Sequence, residues 1–450
     1  MSKRFSAISF RVPVILVALL VLLSGCGENP REDGRVVIQY WDKWTGSEHQ
    51  AMQDLVDDFN ASQNEIYVEF LSISFISRKL MLAAAGGNPP DLAGLWSMNV
   101  PIFAANGALT QLDDLAASHD IHESDYLPAI WSELTEFDRL WGLPSTPGAT
   151  GLHWNKDLFR EAGLDPEKPP RTIAELEAFN EHITRFDDDG DIEVLGHLPQ
   201  EPGWWLPNWA YWFGGDVWNR KDAITVESDA SIAALEWMAS YPERFGADEL
   251  LRFRQASGNF ASAENPFFNG RIAMVHQGPW MHNFIEKFAP KSFDWGVAPF
   301  PSTDPDRYGV AIVETDVIVI PRGAKHPQEA FKFLSWLQRP ENLEKLCAKQ
   351  LKFSPLVETS ESFYENHPNP KIKIYRELAE SPYASGRSRL TNIMDFNRDM
   401  VNAFDQVALQ NLTPEEAAAA VQRRQGKLFD QSYRRWLKVR DARLEDKTQP

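Results

Sequence analysis

The feature that most constrains this chain is a regular alternation of short β-branched strands with amphipathic helices. Residues 35–41, Arg35-Val-Val-Ile-Gln-Tyr-Trp41, read as a strand that runs out into a polar loop over residues 42–46. A helix follows, in which Ser47 and Gln50 have capping-box spacing and Met52, Leu55, Val56 and Phe59 share one face. Residues 65–73 read as a second strand and 78–85 as a helix stopped by Gly86 and Gly87. The turn Asn88-Pro89-Pro90 then leads into a third short strand, 91–96. Strands separated by helices of this length need parallel crossover connections, so the fold class is α/β.

The alternation resumes after Gly142-Leu143-Pro144. Residues 151–154 read as a strand and 156–162 as a helix closed by Gly163. Thr172 caps a further helix with Glu175 as its partner and Ile173, Leu176 and Phe179 on the buried face. Later strands are expected at 271–276 and 316–321. The C-terminal part turns helical at 327–337 and 341–349, and again at Thr413-Pro414-Glu415-Glu416, which supplies a cap, a first-turn proline and two first-turn acids. No fixed-period repeat and no low-complexity linker divides the chain. The acidic run at 187–191 is no calcium loop. Setting Gly190 at the loop glycine places Arg185 and Gly196 where carboxylates are required, so the run reads as an exposed turn.

At the N-terminus, Lys3, Arg4 and Arg11 accompany an apolar run over residues 12–23. That run is short of the ~20 residues that span a bilayer. Ser24 and Gly25 then precede Cys26. The segment resembles the lipobox of bacterial lipoproteins, which implies a signal peptide over residues 1–25, lipidation of Cys26 and a tether over 26–34. An uncleaved anchor and an ordinary secretory signal are the alternatives, and each puts the body of the chain outside the cytoplasm. Removing 25 residues from 450 leaves 425, and losing three basic residues moves the net charge from −19 to −22. So acidic a body is repelled by nucleic acid and by anionic lipid, which excludes nucleic-acid partners and leaves the lipid anchor as the only membrane contact. The only other cysteine, Cys347, lies in a helical pattern and reads as a small buried hydrophobe, so no disulfide is expected. No zinc-ligand spacing, GxSxG, phosphate loop or dinucleotide fingerprint occurs, so neither metal, cofactor nor catalysis is expected. Sixteen tryptophans stand out, because the indole face suits stacking on the C–H side of a sugar ring, although many must fill cores.

Several phrases then fall in a familiar order. Tyr40-Trp-Asp-Lys-Trp-Thr-Gly46, Leu82-Ala-Ala-Ala-Gly-Gly-Asn-Pro-Pro-Asp91, Phe103-Ala-Ala-Asn-Gly-Ala108 and Trp141-Gly-Leu-Pro144 come first. Trp154-Asn-Lys-Asp-Leu-Phe159, Glu161-Ala-Gly-Leu-Asp165, Phe267-Phe-Asn-Gly-Arg271, Gly278-Pro-Trp280 and Trp295-Gly-Val-Ala-Pro299 follow. Together they resemble the family 1 extracellular solute-binding proteins, the sugar receptors of ABC importers. The resemblance implies a periplasmic-binding-protein type II fold, two discontinuous α/β lobes joined by a three-segment hinge with ligand between them. It also implies a monomer that delivers a di- or oligosaccharide to a permease. A receptor for a polyol or other non-sugar solute and a sensor co-receptor are the alternatives. By resemblance the lobes comprise residues 35–147 plus 275–313 and 148–274 plus 314–440, with crossings near 146–151, 272–276 and 312–316. Gly148, Ala149 and Gly151 suit either a hinge or a plain loop.

Candidate ligand residues follow from chemistry and position. Carboxylates accept from paired sugar hydroxyls, and indoles stack on ring faces. Asp42 and Trp44 lie in the loop after the first strand, and Glu48 starts the next helix, where the resemblance implies a ligand carboxylate and a helix-dipole acid is the alternative. Trp96 and Ser97 lie at the C-terminal end of the third strand, the usual ligand edge of an open α/β sheet. Trp204 or Trp205 offers a stacking platform unless the core claims both, and Trp280 occupies a position that the resemblance makes a stacking one. Glu314 and Asp316 stand where relatives carry a glycine-rich aromatic stretch, which points to hydroxyl recognition or to a cationic ligand. By the same resemblance Arg387 lies where some relatives send an arginine into the cleft, with Arg389 as its substitute and a surface salt bridge as the alternative. Replacing Cys26 with serine is expected to release the protein from membranes or block its processing. Unchanged membrane fractionation of Cys26→Ser would instead establish an uncleaved helix.

Overall fold

The structure, a computed structural model, describes residues 33–136, 138–258 and 261–446. The signal segment and Cys26 lie outside the described residues. The strands are β1 (Val36–Asp42), β2 (Ile66–Ser72), β3 (Leu92–Trp96), the short pair β4 (Thr135–Glu136) and β5 (Arg139–Leu140), and β6 (Gly142–Ala149). They continue with β7 (Gly151–Asn155), β8 (Arg185–Phe186), β9 (Ile192–His197), β10 (Ile272–Gln277), β11 (Trp295–Ala298), β12 (Ala311–Val319) and β13 (Ala384–Gly386). One sheet has the order β13-β12-β3-β1-β2, with β6 also paired to β12, and the other has the order β11-β7-β10-β9-β8.

Each sheet carries its own core, so the chain forms two α/β lobes. The first core gathers Ile38, Leu55, Leu92 and Leu95 with Val317, Ile318, Phe331 and Leu334. The second gathers Leu152, Phe159, Leu195 and Met274 with Phe300, Ile312, Phe353 and Phe396. Local signals explain much of this. Thr172 Oγ1 accepts from Glu175 N at 3.1 Å while Glu175 accepts from Arg171 N at 2.7 Å, which fixes the start of helix Ile173–Ile183. Thr413 and Glu416 cap helix Pro414–Asp446 reciprocally, at 3.2 and 3.0 Å. The expected Ser47–Gln50 box does not form. Gly46, at φ +59, already turns the chain into helix Gly46–Ser62 behind Thr45, and Gln50 instead donates to Asp54.

The expected lobe boundaries need correction after the first crossing. Residues 275–313 belong to the second lobe, because β10 pairs with β7 and β9, and Val297, Phe300 and Ile312 sit in its core. Conversely, Val317–Ile320 and the helices Pro327–Leu337 and Pro340–Lys349 pack on the first lobe. The physical reason is that β12 is one long strand serving both cores: Ala311, Ile312 and Val313 face the second, and Val317, Ile318 and Val319 the first. The second crossing is therefore inside β12, and a third lies between Leu346 and Ile372 rather than at β10.

Much of the tryptophan excess is core. Trp205, Trp209 and Trp212 are fully buried, and with Phe300 they surround His276, whose ring nitrogens find no hydrogen-bond partner among the described residues. Burial holds His276 well below the ordinary histidine range and pushes His153 and His197 down to about 3. Below an unfolded-state value near ~6.5, the unfolded chain takes up protons that the folded lobe refuses, so these histidines contribute stability above that pH and lose it as pH falls. Carboxylates pushed up by burial, Glu201 to about 7 and Glu136 to about 6, have the opposite sign, so the informative quantity is a difference between variants. Relative to wild type, His276→Phe should gain stability progressively in urea denaturation as pH falls below ~6. Parallel stability curves would contradict a neutral, buried His276.

Candidate ligand-binding cleft

The parallel strands β1, β2 and β3 all end at one edge of the first sheet, and the candidate site is built outward from that edge. Asp42 closes β1 below the surface: its Oδ2 accepts from Tyr40 Oη at 2.6 Å and its Oδ1 from Lys43 N at 2.6 Å. Gly94 is required beside it, since a Cβ there would lie 2.3 Å from Asp42 Oδ2. The rings of Trp44 and Trp96 meet edge-on, 6.2 Å between centroids and 86° between planes, with Trp96 39% exposed.

Beneath these indoles lies a buried charge cluster centred on Asp316, which is only 5% exposed. Its Oδ1 is 3.0 Å from Lys43 Nζ and its Oδ2 is 3.0 Å from Lys352 Nζ. Thr146 Oγ1 donates to Asp316 Oδ2 at 3.0 Å and lies 2.9 Å from Gln350 Oε1. Lys352 also approaches Glu48 Oε1 at 3.6 Å, and both ammonium groups stand over the Trp44 ring, at 4.5 Å for Lys43 and 4.9 Å for Lys352. Burial alone would raise the Asp316 pKa, but Lys352 and Lys43 overcome it and hold the carboxyl below its usual range. Burial opposes the charge on Lys352 as well, and Asp316 and Glu48 outweigh it, so its pKa is raised. Burial raises that of Glu48 against the pull of Lys352.

The second half of the site is reached along β12, whose register sets Asp316 opposite Trp96 and Glu314 opposite Gly148. Glu314 Oε2 lies 2.9 Å from Arg387 Nε. The Arg387 guanidinium stands 4.7 Å over the Trp205 ring and reaches Met98 Sδ at 3.8 Å, so it touches both lobes. Trp205 is 0% exposed, anchored by its Nε1 donating to His276 O at 2.8 Å, and it underlies Trp280 at 6.3 Å with 24° between planes. Trp280 donates from Nε1 to Gln277 Oε1 at 2.9 Å. Its ring is pressed so closely that a Cβ on Gly148 or Gly278 would come within 2.8 or 2.4 Å. Trp204, 43% exposed, completes the group at 6.5 Å from Trp280.

The sequence candidates therefore divide. Trp44, Trp96, Trp204, Trp280, Glu48, Glu314 and Arg387 each keep some exposed surface. Asp42, Ser97, Trp205 and Asp316 are buried and support that surface instead. Ser97 donates to Glu133 at 2.6 Å, and Asp316 is saturated by two lysines and a threonine. Arg389 does not replace Arg387, because Glu136 at 3.1 Å and the Ser132 carbonyl hold it elsewhere. Sequence reasoning missed Lys43, Thr146 and Lys352. Two acids in an otherwise apolar strand were the available signal, since buried carboxylates demand cations. Among the described residues, no group of three or more His, Cys, Asp or Glu could hold a metal ion, and no helix is long and apolar enough to cross a membrane.

The sequence profile of the bacterial extracellular solute-binding proteins matches residues 45–344, and the chain belongs to that family of ABC-importer receptors. Among solved structures it is similar to CpMnBP1 with mannotriose bound, at TM-score 0.76 and 28% identity, covering 86% of this chain and 99% of the other. The sugar-binding protein MalE from Xanthomonas citri shares the fold, at TM-score 0.73 and 21% identity over 90% of this chain and 99% of its own. In sequence, the sn-glycerol-3-phosphate-binding periplasmic protein UgpB of Escherichia coli K12 is 22% identical over 84% of this chain and 89% of its length. An uncharacterized lipoprotein of Streptomyces antibioticus is 25% identical over 75% of this chain and 74% of its own.

Removing Asp316 leaves two buried ammonium groups with only more distant carboxylates, Asp42 at 3.7 Å from Lys43 and Glu48 at 3.6 Å from Lys352. Asp316→Ala is therefore expected to cost about 3–5 kcal/mol of folding stability in urea denaturation. A variant as stable as wild type that loses only ligand affinity would return Asp316 to the binding surface.

Proposed function

We propose that this protein is a lipid-anchored, monomeric receptor that holds a neutral di- or oligosaccharide between its lobes and hands it to an ABC permease without altering it. One observation carries the reading of the ligand. The cations around the exposed tryptophans are each committed to a carboxylate, Lys43 and Lys352 to Asp316 and Arg387 to Glu314. A phosphorylated solute would need uncommitted cations, and a cationic solute would need uncommitted acids. A neutral polyhydroxy ligand needs neither. It gains from the indole faces of Trp44, Trp96, Trp204 and Trp280 and from the remaining acceptor positions of Glu314 and Glu48. The mannotriose bound to CpMnBP1 and the glycerol phosphate receptor among the relatives bracket the alternatives, and the paired charges favour the sugar. The lipoprotein relative supports anchoring at Cys26.

A thermal-shift screen of manno- and maltooligosaccharides, glycerol 3-phosphate and spermidine tests this. A neutral oligosaccharide at 100 times its Kd should add about 2.7 kcal/mol of stability. Trp280→Ala should then weaken its binding by about 1.5–3 kcal/mol, the value of the lost apolar contact. Stabilisation by glycerol 3-phosphate or spermidine, with none by saccharides, would overturn the reading.

A further inference from the structure

Phe75 combines two costs that packing does not offset. Its backbone is left-handed, at φ 56° and ψ 41°, a region unfavourable for a residue with a bulky side chain, and its ring is 85% exposed. The position starts helix Ile76–Ala85, since Arg78 N and Lys79 N donate to Phe75 O at 3.1 and 3.2 Å. Glycine or asparagine would serve that start with less strain, so the helix does not explain an aromatic side chain there. Ile76 and Leu80, both buried, hold the helix to the core and keep the strained residue in place.

Its location supplies the missing reason. β2 lies beside β1, with Asp42 opposite Ser72, and the two loops beyond are tied together. Ile73 N donates to Asp42 O at 2.7 Å, and Ser72 Oγ donates to Trp44 O at 2.7 Å. In the sheet order β3-β1-β2, the residues that emerge at the ligand edge are therefore Trp96, Trp44 and Phe75, one from each successive strand end. Two strand spacings separate the first from the last, roughly 10 Å. The aromatic surface thus runs past the paired indoles toward the outer rim of the first lobe.

We propose that Phe75 is an outer subsite of the cleft, stacking on the terminal ring of an oligosaccharide whose inner rings lie on Trp44 and Trp96, so that the receptor favours chains of three or more sugar units over two. The proposal rests on the saccharide reading above and adds the length of the ligand to it. A disaccharide seated on the paired indoles ends before Phe75, whereas a longer chain reaches it. Sugar stacking needs only a flat apolar face in the right place, which is what a fixed, exposed phenyl ring offers.

Calorimetry with manno- and maltooligosaccharides of two, three and four units tests this on the full protein and its Phe75→Ala, Phe75→Gly and Phe75→Trp variants. In the series that wild type binds, Phe75→Ala and Phe75→Gly should weaken the three- and four-unit chains about tenfold and the two-unit chain less than about twofold, and Phe75→Trp should retain the length preference. Phe75→Gly should melt no lower than wild type, because glycine accepts the left-handed backbone. Equal losses at every length, or none, would overturn the subsite and leave the saccharide reading standing. Wild type that binds no saccharide would sink both. Unchanged affinities together with impaired uptake in cells would make Phe75 a permease contact instead.

Discussion

Everything in the cleft depends on the burial of Asp316 between Lys43 and Lys352. Its two lysines and Thr146 come from different parts of the chain. Lys43 follows β1, Thr146 belongs to the first crossing, Asp316 to the strand that carries the second, and Lys352 to the third. One ionic cluster therefore ties the hinge segments together just beneath the ligand edge. Charges this deep are costly to separate, so a motion that pulled Lys352 from Asp316 would leave Asp316 to Lys43 alone and Lys352 to the more distant Glu48. Gly148, at the first crossing, is packed against Trp280, and Gly151 against Ala298 O and Leu378, so both are positions of close approach.

The same cluster shapes the surface above it. Both ammonium groups stand over Trp44, fixing one side of that indole. On the other lobe Arg387 repeats the arrangement, paired with Glu314 and laid over the buried Trp205, which in turn supports Trp280. Each exposed indole group thus has an ion pair close behind it. The outcome is a region rich in charge yet compensated within itself, with part-exposed aromatic faces above it. An acidic chain of net charge −19 does not thereby acquire an acidic binding site.

Local patterns made the fold readable in the sequence. Thr172 with Glu175 and Thr413 with Glu416 cap their helices as their spacing indicates, because a capping box involves only neighbouring residues. The division of the late chain between lobes was not readable. β12 is uniformly apolar apart from Glu314, Thr315 and Asp316, and nothing local tells which core each half will join. Among the candidate residues, Trp96 was pointed to by a strand end and Trp280 by the family resemblance. Asp316 could not be separated from a ligand-facing acid, since that distinction depends on Lys43 and Lys352, remote in sequence. Phe75 escaped for a different reason: a strained φ is a property of the folded backbone and leaves no composition signal.

The central claim is that the cleft is electrically self-compensated and takes a neutral ligand. Calorimetric titration of the bound saccharide at two ionic strengths tests it most directly, since exposed charge–charge attraction is screened over a Debye length of about 10 Å at ~0.1 M salt. If the claim holds, the Kd should change by less than about twofold between ~0.02 and ~0.5 M salt. A Kd that weakens steeply with salt would mean that the ligand neutralises charge in the cleft, and would contradict it.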